Sequence, residues 1–215
     1  SKEIDFIFGE DLTFVEFGSG SIEKISILIN NNVKYYIPLD ISLNFIKKSS
    51  KKLQKLFSYL TIIPKYCDYI NYINLPKNTT NTKIGFFLGS SIGNFYNRQE
   101  KKFLKNAKKT LGKKNFMFVG VDLIKEIEIL EKAYNDKRKF TEKFNLNLLN
   151  VINKNFKIKI KLKDFYYISS YNDKNKCMEN FIVSKKNLLF KIKNKKIYFK
   201  KNEKIQTEIS NKFTI

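Results

Sequence analysis

A chain of 215 residues can bury one good core and a smaller appended domain. Its hydrophobic content of 42% excludes a disordered chain, and no stretch approaches the roughly 18 apolar residues of a membrane span. The formal net charge of +22 suggests nucleic acid, yet every basic residue except Arg98 and Arg138 is lysine, with asparagine and isoleucine also in excess; that is the codon signature of an A- and T-rich genome, whereas phosphate recognition favours bidentate arginine.

In chain order, Ser1 to Glu10 reads as the end of a helix with Ile4, Phe6 and Ile7 on its apolar face. Thr13 to Phe17 is a run of β-formers that breaks at Gly18-Ser19-Gly20, and Ile22, Ile25, Leu28 and Ile29 then recur at helical spacing, predicting a helix over Ser21 to Asn31. In a strand, glycine turn and helix N-terminus, the glycines admit positive φ and close approach of a ligand, and the helix start offers N–H groups to an anion. A Gly-x-Gly turn alone is weak evidence, since many tight turns carry one. Lys34 to Leu39 reads as a second strand closed by Asp40, 22 residues past Gly18. An acid so placed suits the ribose hydroxyls of an adenosine cofactor, and it equally suits capping of the helix predicted over Ser42 to Phe57. In that helix Phe45, Ile46, Leu53 and Leu56 form an apolar stripe. Leu60 to Ile63 and the segment around Tyr66 to Tyr69 suggest a third strand and its exit loop, and Pro76 to Lys83 is loop-like. Ile84 to Leu88 is wholly apolar, as expected of a central parallel strand, and runs into Gly89 to Phe95. A helix over Asn97 to Leu111 and a strand over Asn115 to Val121, ended by Asp122, follow.

This alternation predicts an α/β, doubly wound, Rossmann-like sheet. Ligands of such sheets sit at the carboxyl ends of the strands, where Gly18, Asp40, Asp68 and Asn94 fall. Beyond Asp122 the pattern changes to two helices, Lys125 to Asn135 and Lys139 to Asn155, and then short alternating strands around Phe165 to Tyr171, Met178 to Ser184, Leu188 to Lys193, Lys196 to Phe199 and Ile205 to Ser210. The expected division is a cofactor-binding domain over 1–123 and a smaller α+β substrate domain over 124–215.

Histidine is absent, which removes imidazole bases, His-ligated metals and Ser–His–Asp triads. Cys67 and Cys177 have no zinc or CxxC spacing and read as reduced thiols of a cytoplasmic protein; no metal is expected. The opening SKEIDFIFGED lacks the apolar core of a signal peptide.

The stretches VEFGSGSIEK, YYIPLDIS, FFLGSSIGNF, VGVDLIK, KAYNDKRKFTEKFNLNLL and IQTEISNKFT, in this order, resemble the S-adenosylmethionine-dependent histidine-specific methyltransferases, the family of ergothioneine biosynthesis. The resemblance implies N-methylation of the α-amino group of L-histidine or a related amino acid, with S-adenosyl-L-methionine as cofactor. It implies cofactor contacts from Gly18 and Lys24, ribose binding by Asp40 and adenine flanked by Asp68 and Tyr69. It further implies that Asn94 and Tyr134 bind the amino-acid end of the substrate, and that Glu208 and Ser210 grip its imidazole.

No catalytic residue is needed beyond those that position the substrate, because orientation alone contributes about 7–11 kcal/mol to such a displacement. Asn94 and Tyr134 are neutral and would not trap the amine as ammonium, while Glu208 can accept an imidazole N–H. Each residue also has a plainer role: Asn94 as a helix cap, Tyr134 in packing, Glu208 in a solvated ion pair, Lys24 as one surface lysine among many, and Asp122 as the start of the next helix.

Family members carry a Tyr-rich segment before the point where this chain begins and continue past its KFT stretch, so a non-catalytic or split-gene fragment needing a partner chain is one alternative. Where the family has an IEM stretch, Asn180 stands in place of the methionine, which loosens the choice of amino acid. A basic RNA methyltransferase is the other alternative; the chain shows no (N/D)PP(Y/F) tetrapeptide and no aromatic RNA-binding signature.

Overall fold

The computed structural model describes residue 4 and residues 7–193 and 195–214, which divide into two compact units, Ser1–Val121 and Asp122–Ile215. The division falls just ahead of Asp122, which belongs with the second unit.

The first unit is built on a parallel sheet of β1 (Leu12–Phe17), β2 (Val33–Asp40), β3 (Thr61–Ile62), β5 (Thr82–Phe87) and β6 (Phe116–Val119), in the order β3-β2-β1-β5-β6, with the two-residue β4 (Lys65–Tyr66) extending the pairing of β2. The expected third strand is thus two short pieces. Every residue of β1 is buried, as a strand flanked on both sides and covered on both faces must be. One face packs Leu12, Phe14, Ile84 and Phe86 against Ile25 of α1 (Glu23–Leu28) and Leu53 of α2 (Leu43–Leu56). The other face is aromatic: Phe17 and Phe87 meet Phe103 of α3 (Gln99–Leu111) at ring distances of 5.5 and 4.5 Å. Helices on both faces of a parallel sheet make the doubly wound arrangement.

Several expectations are corrected. α1 has six residues and ends at Leu28, not Asn31. In α2 only Ile46 and Leu53 of the expected stripe are buried; Phe45 and Leu56 face solvent because a helix against a sheet covers one narrow stripe. Ile7 is exposed while Ile4 and Phe8 pack on the core, and Phe6 lies outside the described residues. On edge strand β6, Phe116 and Phe118 are partly exposed.

The second unit sets α4 (Ile127–Tyr134) and α5 (Phe140–Phe156) beside an antiparallel sheet ordered β11-β8-β7, formed by β7 (Phe165–Asn172), β8 (Cys177–Ser184) and β11 (Lys204–Asn211). Leu149 of α5, Ile160, Phe165 and Ile182 form its core. A separate hairpin, β9 (Leu188–Ile192) with β10 (Lys195–Phe199), packs through Phe199 against Phe165 at 6.0 Å. Asp136 starts α5 by accepting the N–H groups of Phe140 and Thr141, which holds its carboxyl below the usual range. Among the described residues no helix is long and apolar enough to cross a membrane, and no group of His, Cys, Asp and Glu could hold a metal.

Candidate active site

In the first unit the carboxyl ends of β1, β2 and β5 and the loop after β4 present their polar groups at one rim. Gly18 closes β1 at φ +68°, and a Cβ there would stand 3.2 Å from the Tyr69 hydroxyl oxygen, so a larger residue would be strained and would meet the ring. The Tyr69 hydroxyl is pushed up by burial and then by the charges of Asp40 and Asp68, and Asp40 follows directly on Leu39, whose carbonyl accepts the Gly18 N–H at 2.8 Å. Gly18, Asp40, Asp68 and Tyr69 are therefore brought together. Asp40 accepts the Ser42 N–H on Oδ1 at 2.8 Å; it turns the chain into α2, and among the described residues nothing bonds its Oδ2. Asp68 spends its carboxylate on its own loop, accepting from the Ile70 N–H and the Asn71 amide at 3.1 and 2.9 Å. Lys24 reaches over the end of β5, where a Cβ on Gly89 would come within 2.8 Å of its Nζ.

Asn94 ends a short 3-10 turn, Ser91–Asn94, beyond β5, and α3 begins only at Gln99, so Asn94 does not cap that helix. The next residue, Phe95, stacks on Phe87 at 5.9 Å, and Phe87 meets Tyr69 at 5.7 Å, which ties this turn to the same rim. The N–H groups of Gly18 and Ser19 both bond Leu39 O, at 2.8 and 3.1 Å. A six-residue helix also has little dipole to offer. The glycine corner serves to lock β1 to β2, while over Gly20 a Cβ would meet nothing within 4 Å, leaving backbone on which a ligand can rest.

The residue that sequence reasoning missed is Glu16. Its carboxyl is buried within β1 and accepts a hydrogen bond from the Tyr36 hydroxyl, which lies 2.9 Å from Ser19 Oγ. Burial raises its pKa, opposed by hydrogen bonds from Tyr36 and Ser19 and by the Lys24 charge. The available signal was an acid in an otherwise apolar strand immediately before the glycine corner. Two grooves of the same unit, of about 700 and 730 Å³, run past Lys47 and Lys51 of α2 and past Lys105 and Lys109 of α3; lysine stems over apolar ground make such grooves, and none of the rim groups lines them.

In the second unit, Glu208 and Ser210 lie two apart on β11 and so share a face. The register slips between Gln206 and Glu208, which sets Glu208 opposite Asn180 and Ser210 opposite Met178. Thr207, the extra residue, anchors this bulge by donating to Asn145 Oδ1 and to Asn180 O, at 2.5 and 3.0 Å. Asn180, fully buried, accepts from the Tyr167 hydroxyl at 2.7 Å and donates its amide to Glu208 Oε2 at 3.3 Å. Glu208 is thus aimed by an amide. Burial pushes the Tyr167 hydroxyl up to about 12, so it stays a donor.

Tyr134 and Ser210 meet at one ammonium, Lys212 Nζ, 3.0 Å from the Tyr134 hydroxyl and 2.9 Å from Ser210 Oγ. The same ammonium lies 2.9 Å from Asp122, which instead of starting a helix forms this ion pair and a second one to Lys125. Tyr134 and Tyr167 line a cavity of about 200 Å³ at the α4–α5 turn, whereas Glu208 lines another of about 370 Å³ beside Phe144 and Leu148. The structure therefore joins Tyr134 to Ser210, but it does not place Tyr134 and Glu208 in one cavity.

A family model described as a histidine-specific, SAM-dependent methyltransferase matches residues 1–215. The chain is 26% identical over 220 residues to a histidine N-alpha-methyltransferase of Mycolicibacterium smegmatis, covering 99% of this chain and 68% of that protein. It is 31% identical over 144 residues to ergothioneine biosynthesis protein 1 of Neurospora crassa, covering 62% of this chain and 16% of that much longer protein. Among solved structures it resembles an S-adenosylmethionine-dependent methyltransferase of Clostridium acetobutylicum, with TM-score 0.53, 9% identity, and coverage of 99% of this chain and 72% of that one, a likeness of fold.

Proposed function

The chain belongs to the S-adenosylmethionine-dependent, histidine-specific methyltransferases, and on that premise we propose that it transfers a methyl group to the α-amino group of L-histidine or a related aromatic amino acid. The cofactor, when bound, supplies an electrophilic methyl group on a sulfonium. The residues at the rim of the first unit fit it: the glycine corner at Gly18 to Gly20 gives backbone to rest on, Asp40 Oδ2 is available to a ribose diol, and the Tyr69 ring offers an apolar wall for adenine. Asp68 shapes the loop that carries Tyr69, and Lys24 brings a positive charge for the cofactor's carboxylate.

In this reading the second unit holds the amino acid. Glu208, fixed by Asn180, accepts an imidazole N–H, and Ser210 bonds the other nitrogen. Tyr134 holds the amino-acid end without a negative charge, so the amine can shed its proton and attack. Two unpaired cysteines fit a reducing compartment, and we place the reaction in the cytoplasm.

The observation that carries this reading is the meeting of Gly18, Asp40 and Tyr69 at one rim of a parallel sheet. Calorimetry with S-adenosylhomocysteine and then histidine, followed by mass spectrometry of the product, tests it. Ordered binding of both and a mass gain on the amine are expected. Binding of neither ligand, or methylation of RNA with histidine untouched, would overturn it.

A further inference from the structure

We propose that Lys212 is a positioning residue whose buried ammonium fixes the hydroxyls of Tyr134 and Ser210 as hydrogen-bond donors toward the substrate. This rests on the reading above, in which those two hydroxyls face the amino acid.

An ammonium has three hydrogens and no acceptor. Lys212 places its Nζ within hydrogen-bond distance of three oxygens: Asp122 Oδ2 at 2.9 Å, Ser210 Oγ at 2.9 Å and Tyr134 Oη at 3.0 Å. Its side chain is 0% exposed, so water does not compete for these hydrogens. The backbone clamps both ends of the ion pair, because Phe213 N–H donates to Asp122 O at 2.9 Å and Lys212 N–H donates to Lys176 O at 2.8 Å. Burial alone would lower the pKa of Lys212, but its bonds to Tyr134 and Asp122 and their charge outweigh burial and raise it above the ordinary lysine value. The group therefore stays charged at neutral pH.

A hydroxyl usually chooses between donating and accepting by rotating. Here each oxygen accepts from Lys212, so each hydrogen must point elsewhere, and among the described residues neither finds an acceptor. The site thus offers two outward donors and selects ligand atoms with lone pairs. At Tyr134 that suits a carboxylate oxygen. At Ser210 it suits the bare nitrogen of a neutral imidazole, whose other N–H goes to Glu208. An imidazolium has no bare nitrogen and would set a donor against a donor. The charged and titratable groups around Ser210 are Lys212, Asp122 and Lys125, Glu208 on the same strand, Glu179 and Cys177 across on β8, and Tyr134.

The test is histidine binding in the presence of S-adenosylhomocysteine, by calorimetry from pH 5.5 to 8, for the unmutated chain, Lys212→Met, Ser210→Ala and the double variant. The unmutated chain should lose affinity as pH falls through about 6.5, where imidazole protonates. Lys212→Met should bind about 10-fold more weakly at pH 8, show a much shallower acid limb, and make Ser210→Ala nearly silent in its background. An equal loss at every pH, with Ser210→Ala adding in full, would reduce Lys212 to a structural part and overturn the proposal. Should Lys212→Met fail to fold, Lys212→Arg keeps a donor-only cation: a retained acid limb supports the proposal, and a lost one overturns it. If Ser210→Ala and Tyr134→Phe each leave histidine affinity unchanged, or the unmutated chain binds none, the reading of the substrate site fails and the proposal falls with it.

Discussion

In the first unit the buried carboxyl is that of Glu16, whose close partners are the hydroxyls of Tyr36 and Ser19, with Lys24 acting through its charge. In the second the buried charged group is the ammonium of Lys212, with a carboxylate 2.9 Å away. Burial raises the pKa of Glu16, because a carboxylate there lacks a bonded cation. Asp122 has two bonded cations, and although burial pushes its carboxyl up, Lys125 and Lys212 pull it below the usual range. An acid partly or wholly withdrawn from water is therefore strained or comfortable according to whether the fold supplies a cation within bonding reach. The same contrast extends to the two candidate sites: the first is made of backbone turns at strand ends, the second of side chains aimed by other side chains.

The largest expected effect breaks the backbone-built site. Gly18→Val places a branched side chain at φ +68° against the Tyr69 ring. Left-handed strain of about 1–2 kcal/mol plus displacement of the ring should cost about 100-fold in S-adenosylhomocysteine affinity. Adding Tyr69→Ala should cost less in the Gly18→Val background than it does alone, and full additivity of the two losses would mean that ring and corner are independent.

Asn180→Ala tests the side-chain-built site. It leaves the Tyr167 hydroxyl and Glu208 without their shared amide, at a cost of about 1–3 kcal/mol. The KM for histidine should rise about 10-fold while S-adenosylhomocysteine affinity holds. A matching loss of cofactor affinity would show that the two sites are not separable in this way.

Glu16→Gln sharpens the contrast in charge. Because the folded pKa of Glu16 lies above its unfolded value, the native state binds the extra proton, and that stability is full below the unfolded value near 4.5 and is lost as pH rises through the folded value. Glutamine keeps the acceptor for Tyr36 but cannot ionise. Urea denaturation should therefore show the variant gaining on the unmutated chain as pH rises from 4 to 7. A gain of the opposite sign would mean that the Tyr36 and Ser19 hydrogen bonds outweigh burial.

These contrasts also explain what was legible in the sequence. Gly18 and Asp40 could be read because a strand end and a glycine corner are local events, set by a handful of neighbouring residues. The aromatic face of the sheet was half legible: Phe86 and Phe87 announce a buried strand, but their partner Phe103 is one apolar position in a lysine-rich helix. Thr207 gave no sign of a bulge, since the shift is fixed by bonds to Asn145 and Asn180, 62 and 27 residues away. Lys212 was invisible among so many lysines; only the fold shows that this one is buried against Asp122 and two hydroxyls. Glu16 was readable in principle, and the surrounding apolar strand drew attention away from it.

The smallest effect tests where the core of the first unit stops. Ile46, Leu53, Phe45 and Leu56 look equivalent at helical spacing, yet Leu53 is 0% and Leu56 64% exposed. A residue with that much surface already in water has little transfer energy left to lose. Leu56→Gln should therefore shift stability by no more than about 0.5 kcal/mol, against about 2–5 kcal/mol for Leu53→Ala in the same helix. Urea unfolding of the two variants side by side measures the difference. A large loss from Leu56→Gln would mean that the exposed flank of α2 is covered in the working protein, so that the boundary between core and surface lies further out than this fold places it.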